Sequence, residues 1–115
     1  MTPTEQVIAS ALRTVDVRDG RGRSLKVRRL TALDTLRLLK AAGPILAQNQ
    51  PWLSMAMLAI SVTEIDHVPV PTPMSEAQIE SLVDKLGEDG MEAVAEVVDQ
   101  EVQSDAGTVV ATAGN

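Results

Sequence analysis

The chain of 115 residues has no cysteine, no phenylalanine and no tyrosine, and it has one tryptophan and one histidine. Without thiols there is no disulfide, no thiolate nucleophile and no iron–sulfur cluster, and structural zinc loses its usual ligands. A lone histidine, His67, excludes a three-histidine zinc site and leaves a single conventional general base near neutral pH. The missing rings exclude a base-stacking platform for single-stranded nucleic acid. The longest apolar run, Leu53 to Val62, is ten residues with two serines, well short of the roughly 20 needed to cross a bilayer. Met1 to Ser10 lacks the basic segment and long apolar stretch of a signal peptide, so a cytoplasmic protein without a membrane partner is expected.

What is present is aliphatic. Hydrophobic residues make up 44% of the chain and charged residues 23%, enough apolar surface for one core of valine, leucine, isoleucine, methionine and alanine. The net charge of -6 hides two opposed halves. Between Arg13 and Lys40 lie nine of the ten basic residues against three acids, and beyond Lys40 lie twelve acids against Lys85 alone. Such polarity can steer a partner, fold back on itself, or drive self-association by stacking copies of the chain.

The pattern predicts an α+β fold, mainly α-helical: about five helices, a small N-terminal antiparallel β-hairpin and a short second extended turn. Thr2-Pro3-Thr4-Glu5 opens a first helix ending near Arg13. Thr14 to Arg18 and Ser24 to Arg28 alternate with period two around Asp19-Gly20-Arg21-Gly22, which predicts a hairpin with Val15, Val17, Leu25 and Val27 on one face. Thr31 caps a second helix, with Asp34 three residues on. Its leucines Leu33, Leu36, Leu38 and Leu39 cover more than half the circumference and predict packing on two sides, and Gly43-Pro44 ends it. Pro51 starts a third helix to Val62, apolar nearly all round. Ile65 to Val70 reads as a tight turn between short extended pieces, Val62 to Ile65 and Val68 to Val70. Ser75-Glu76-Ala77-Gln78 caps a fourth helix stopped by Gly87, and Asp89 caps a fifth through Val102. Residues 1–102 are expected to form one domain with a sub-boundary at 71–74, and 103–115, lacking periodicity, a mobile tail.

Candidate chemistry is thin. Asp66-His67 is the one acid–base pair, but adjacent turn residues rarely aim at one atom and no motif places a nucleophile beside them, so His67 reads as a turn residue tolerating a left-handed backbone. Gly20-Arg21-Gly22 lies between two strands and offers no helix N-terminus to a phosphate. Glu76, Glu80 and Asp84 form a solvated acidic stripe without calcium-loop spacing. The basic ribbon of Arg18, Arg21, Arg23, Lys26, Arg28 and Arg29 is the feature that would suit nucleic-acid contact, and a small nucleic-acid-associated regulator, or another adaptor, is the alternative reading. No enzyme, metal or cofactor is expected.

One stretch resembles a known family. Arg28-Arg29-Leu30-Thr31-Ala32-Leu33-Asp34 with Arg37-Leu38, then Ala41-Ala42-Gly43-Pro44, Ala59-Ile60-Ser61-Val62 and Ile65-Asp66-His67-Val68-Pro69-Val70-Pro71, is similar to the tail assembly chaperones of long-tailed bacteriophages and prophages, over roughly Val15 to Val98. His67 stands where that family's turn carries glycine. The resemblance implies a non-enzymatic role in the host cytoplasm: binding and solubilising the tape-measure protein, helping recruit tail-tube protein, and absence from the mature virion. The contact surface expected on this chain is Leu33 and Leu38 with Trp52, Met55, Leu58 and Ala59.

Overall fold

A computed structural model describes residues 14–113, with side chains through residue 100. Strands β1 (Thr14–Arg18) and β2 (Ser24–Arg28) form the hairpin, with Val15 opposite Val27 and Val17 opposite Leu25. Helix α1 (Ala32–Leu46) follows, capped by Thr31, whose hydroxyl accepts from the Asp34 N–H at 3.2 Å while the Asp34 carboxylate accepts from the Thr31 N–H at 2.8 Å. This reciprocal box satisfies two donors that a helix start leaves open. Helix α2 (Gln50–Ile60) is capped by Asn49 and carries Pro51 in its first turn, where a missing N–H costs nothing.

Strands β3 (Val62–Ile65) and β4 (Val68–Pro69) meet at Asp66 and His67, both with positive φ (50° and 66°), the primed two-residue turn that matches strand twist. His67 is thus the left-handed turn residue its context demanded. β3 pairs antiparallel with β2 across a bulge at Lys26 and Val27, so both hairpins join one sheet of four strands in the order β1-β2-β3-β4. Helix α3 (Glu76–Ala113) then packs against the sheet and α2.

Two apolar clusters result. Leu25, Val27, Val62 and Ile65 from the sheet meet Ala59 of α2 and Leu82, Leu86, Met91 and Val94 of α3. Leu38 and Ala42 of α1 meet Leu53 and Ala56 of α2 and Ile79 of α3. Each fully buried aliphatic side chain here, such as Leu25 or Leu86, contributes about 1.5–3 kcal/mol of transfer free energy.

The described residues form three helical elements, not about five. The expected fourth and fifth helices run as one element, because Gly87 (φ 66°, ψ −173°) breaks the helical path for a single residue and helical spacing resumes at once, with no linker. Gly43 (φ 83°, ψ 171°) likewise kinks α1 rather than ending it, and Pro44 sits where the following turn begins, so the helix reaches Leu46. The expected Thr2–Arg13 helix lies outside the described residues. The helix of α3 also continues through 103–113, past the expected end at Val102. Nor does α1 pack on two sides. Leu38 is buried, whereas Leu33 and Leu36 are 51% and 64% exposed, because the one neighbour covering α1 broadly is α2.

The kink in α3 is held by the β1–β2 loop. The Arg23 guanidinium donates to the carbonyls of Lys85 (2.9 Å) and Leu86 (2.6 Å), acceptors that the break at Gly87 leaves without helical partners. Arg23 is itself held by the buried Asp19 carboxylate through Nε at 2.7 Å, and that carboxylate also accepts from the backbone N–H groups of Arg21 and Arg23, each at 2.9 Å. Contact is close: a Cβ on Gly20 would lie 2.8 Å from Asp89 Oδ1.

Candidate partner-binding site

Among the described residues, most of the large apolar side chains left in solvent lie on α1 and α2, Ile45 of α1 being the most exposed, while Val68 and Met74 lie outside these helices. Leu33 and Leu36 stand one turn apart on the same side of α1, N-terminal to the buried Leu38, and Met55 and Met57 of α2 are also exposed. Between α2 and α3 lies an apolar groove of about 160 Å³ lined by Trp52, Met55, Ala56, Ile79, Glu80 and Val83. Two of its lining residues are joined by the Trp52 indole N–H donating to Glu80 Oε2 at 3.2 Å, a bond that ties α2 to α3 beside the groove. Methionine and a half-buried indole make a surface that re-packs around an apolar partner at low cost.

Of the six residues expected to bind a partner, three are placed to do so: Leu33 and Met55 are exposed and Trp52 is half-buried at the groove. Leu38 and Ala59 are core residues, 3% and 0% exposed, and the half-buried Leu58 packs on the sheet-side cluster. The Leu38 and Ala59 side chains are taken up by packing within the chain and offer almost no surface to a partner. Leu36 and Met57, within the helix faces expected to meet a partner, are exposed as well, whereas Val83 at the groove was read only as part of the periodic stripe of its helix.

The basic ribbon is largely occupied. Arg21 pairs with Asp89 at 3.6 Å, Arg23 with Asp19 at 2.7 Å, Lys26 with Glu64 at 3.1 Å and Arg28 with Asp34 at 2.6 Å. The Arg28 guanidinium holds the Asp34 carboxyl well below the usual carboxylate range, outweighing burial, and the Thr31 N–H and hydroxyl add to the effect. Burial pushes Asp19 up, but the Arg23 backbone and guanidinium and the Arg21 N–H outweigh it and hold the carboxyl below its ordinary value. Glu64 raises Lys26. Phosphate contact by these four cations would compete with an existing partner.

Asp66 and His67 do not form a dyad. The Asp66 carboxylate accepts from the Ser24 N–H at 2.9 Å, bracing one hairpin against the other, and both residues lie at an exposed turn. Among the described residues no group of three or more histidine or acidic side chains is placed to hold a metal ion, and no helix is long and apolar enough to cross a membrane. Comparison with known proteins found no matching family, no matching curated protein and no matching solved structure.

Proposed function

We propose that this chain is a tail assembly chaperone of a long-tailed phage or prophage, a non-enzymatic protein of the host cytoplasm that binds the tape-measure protein, keeps it soluble and helps recruit tail-tube protein. The observation that carries the reading is the apolar surface left exposed at separate places on α1 and α2. Leu33 and Leu36 project into solvent from the side of α1 opposite the buried Leu38, and Met55 and Trp52 border an open apolar groove between α2 and α3. A monomer gains nothing in stability from such residues, whereas a protein that shields apolar segments of another chain needs them. The resemblance in the stretches from Arg28 to Pro71 supplies the identity of that other chain.

The test is co-expression with a long helical tape-measure protein of the kind the reading requires. The tape-measure chain becomes soluble and co-purifies with the wild type, and Leu33→Glu with Met55→Glu abolishes co-purification while the far-UV circular dichroism and melting temperature stay close to wild type. Retention of the partner by that folded double variant would move the binding surface elsewhere. A tape-measure chain equally soluble without this protein would end the reading.

A further inference from the structure

The outer edge of β1 presents backbone groups that no other described residue pairs. β1 bonds only to β2, and alternate residues of a strand turn their N–H and C=O to opposite sides. The β1–β2 register continues past the strands to the bond from the Asp19 N–H to the Arg23 carbonyl at 3.1 Å, so Val15, Val17 and Asp19 are the residues bonded inward. β2 agrees: its Arg28 N–H donates to the Ser61 carbonyl and its Ser24 carbonyl accepts from the Asp66 N–H, so its even-numbered residues serve the β3 side. The groups of Thr14, Asp16 and Arg18 therefore point outward. The opposite edge of the sheet is only two residues long and carries Pro69, which has no N–H to offer.

We propose that two copies of this chain pair through β1, antiparallel about a twofold axis at Val17, joining two four-stranded sheets edge to edge. Charge selects both the occupant and the register. To bond the outward groups and keep valines on the apolar face, the pairing must set even-numbered residues against even-numbered ones. An axis at Asp16 would place two like carboxylates opposite each other, which is unfavourable. An axis at Val15 sets Asp16 against Thr14 and carries Arg18 past the end of the strand. An axis at Val17 sets Asp16 of each copy against Arg18 of the other, twice, with Val17 facing Val17 where both are half-buried. Asp16 stands opposite Lys26 on β2, whose ammonium is paired with Glu64, and neither Asp16 nor Arg18 has an ion pair within 4.0 Å among the described residues. The strand is thus complementary to itself, which makes a second copy the occupant.

Sedimentation equilibrium of the full chain tests this. The wild type shows a concentration-dependent dimer. Asp16→Pro removes an outward N–H, leaves the β1–β2 bonds intact, and gives a monomer with unchanged circular dichroism. Asp16→Arg and Arg18→Asp, each of which sets like charges opposite one another, weaken self-association by about tenfold or more. An equimolar mixture of the two restores it, because the all-basic strand of one variant meets the all-acidic strand of the other. Three results would overturn the proposal: a wild type that stays monomeric up to about 1 mM, a dimer untouched by Asp16→Pro, or a mixture no tighter than either variant alone.

Discussion

Asp19 is the residue whose loss should cost this fold most for its size. Its side chain is fully buried and accepts three hydrogen bonds, from the N–H groups of Arg21 and Arg23 and from Arg23 Nε. Asp19→Ala strands two backbone donors and leaves Arg23, whose side chain is 17% exposed, without its counter-ion. Each stranded donor costs about 1–3 kcal/mol, and removing one partner of a buried ion pair costs about 3–5 kcal/mol. These overlap, because the same desolvated carboxylate is counted in both, so the sum lies near 4 kcal/mol rather than at the total. Against a native stability of about 5–15 kcal/mol, that is a large share. In urea, with a slope of about 1.5 kcal/mol/M, the midpoint should fall by about 2–3 M, read by circular dichroism and Trp52 fluorescence. Asp19→Asn keeps one acceptor oxygen and should fall between. In a double-mutant cycle, Asp19→Ala with Arg23→Ala should cost clearly less than the two changes added together. A loss below about 1 kcal/mol for Asp19→Ala would refute the view that this carboxylate organises the loop that holds α3.

Three further outcomes follow from the same geometry. Asp19 and Asp34 both have folded pKa values below the ordinary 3.8, so the stability they contribute is complete well above that value and is lost as the pH falls from there through their lower folded values; urea midpoints should be flat near neutrality and decline from about pH 5 toward pH 2. Leu38→Ala, in a fully packed position, should lower stability by about 2–5 kcal/mol, whereas Leu33→Ala should change it by less than about 0.5 kcal/mol, both from denaturation midpoints. His67→Gly should raise the melting temperature, since His67 sits at φ 66° in a turn that favours glycine, a gain of about 1 kcal/mol; a lower melting temperature would mean that the imidazole makes a stabilising contact.

The parts of the fold legible in the sequence are those fixed by neighbours within four or five residues. Period-two alternation placed both strands of the first hairpin, Thr31 and Asp34 announced the start of α1, and Asp66-His67 between two apolar pieces marked a tight turn. Each of these signals acts locally, through hydrogen bonds or backbone angles of adjacent residues. What escaped reading depends on contacts distant in the chain. The pairing of β2 with β3 crosses two helices, and the guanidinium that holds the break at Gly87 comes from Arg23, 62 residues from the Lys85 carbonyl it reaches. A glycine after a periodic run reads as a helix end, and only that distant arginine makes it a kink inside a longer element. The partner surface suffered the same ambiguity. A leucine-rich helix declares that it has apolar faces but not which face the rest of the chain will cover, so Leu38 and Ala59 were read as surface and proved to be core.

The charge polarity gains a different meaning from these contacts. A basic segment followed by an acidic one suggested attraction toward something outside, yet Arg21 and Arg23 are directed at α3 itself, one to the Asp89 carboxylate and the other to helix carbonyls. The opposition of charge is therefore partly spent inside the molecule, seating the hairpin on the bend of α3. On the proposals above, the exposed leucines and methionines of α1 and α2 would meet an outside partner mainly by apolar contact, while Asp16 and Arg18, which form no ion pair among the described residues, would supply the charge that chooses between partner strands. The proposed apolar binding of a client and the proposed charge-registered pairing of two copies would use different surfaces of the same chain, and variants at Leu33 and at Asp16 should separate them.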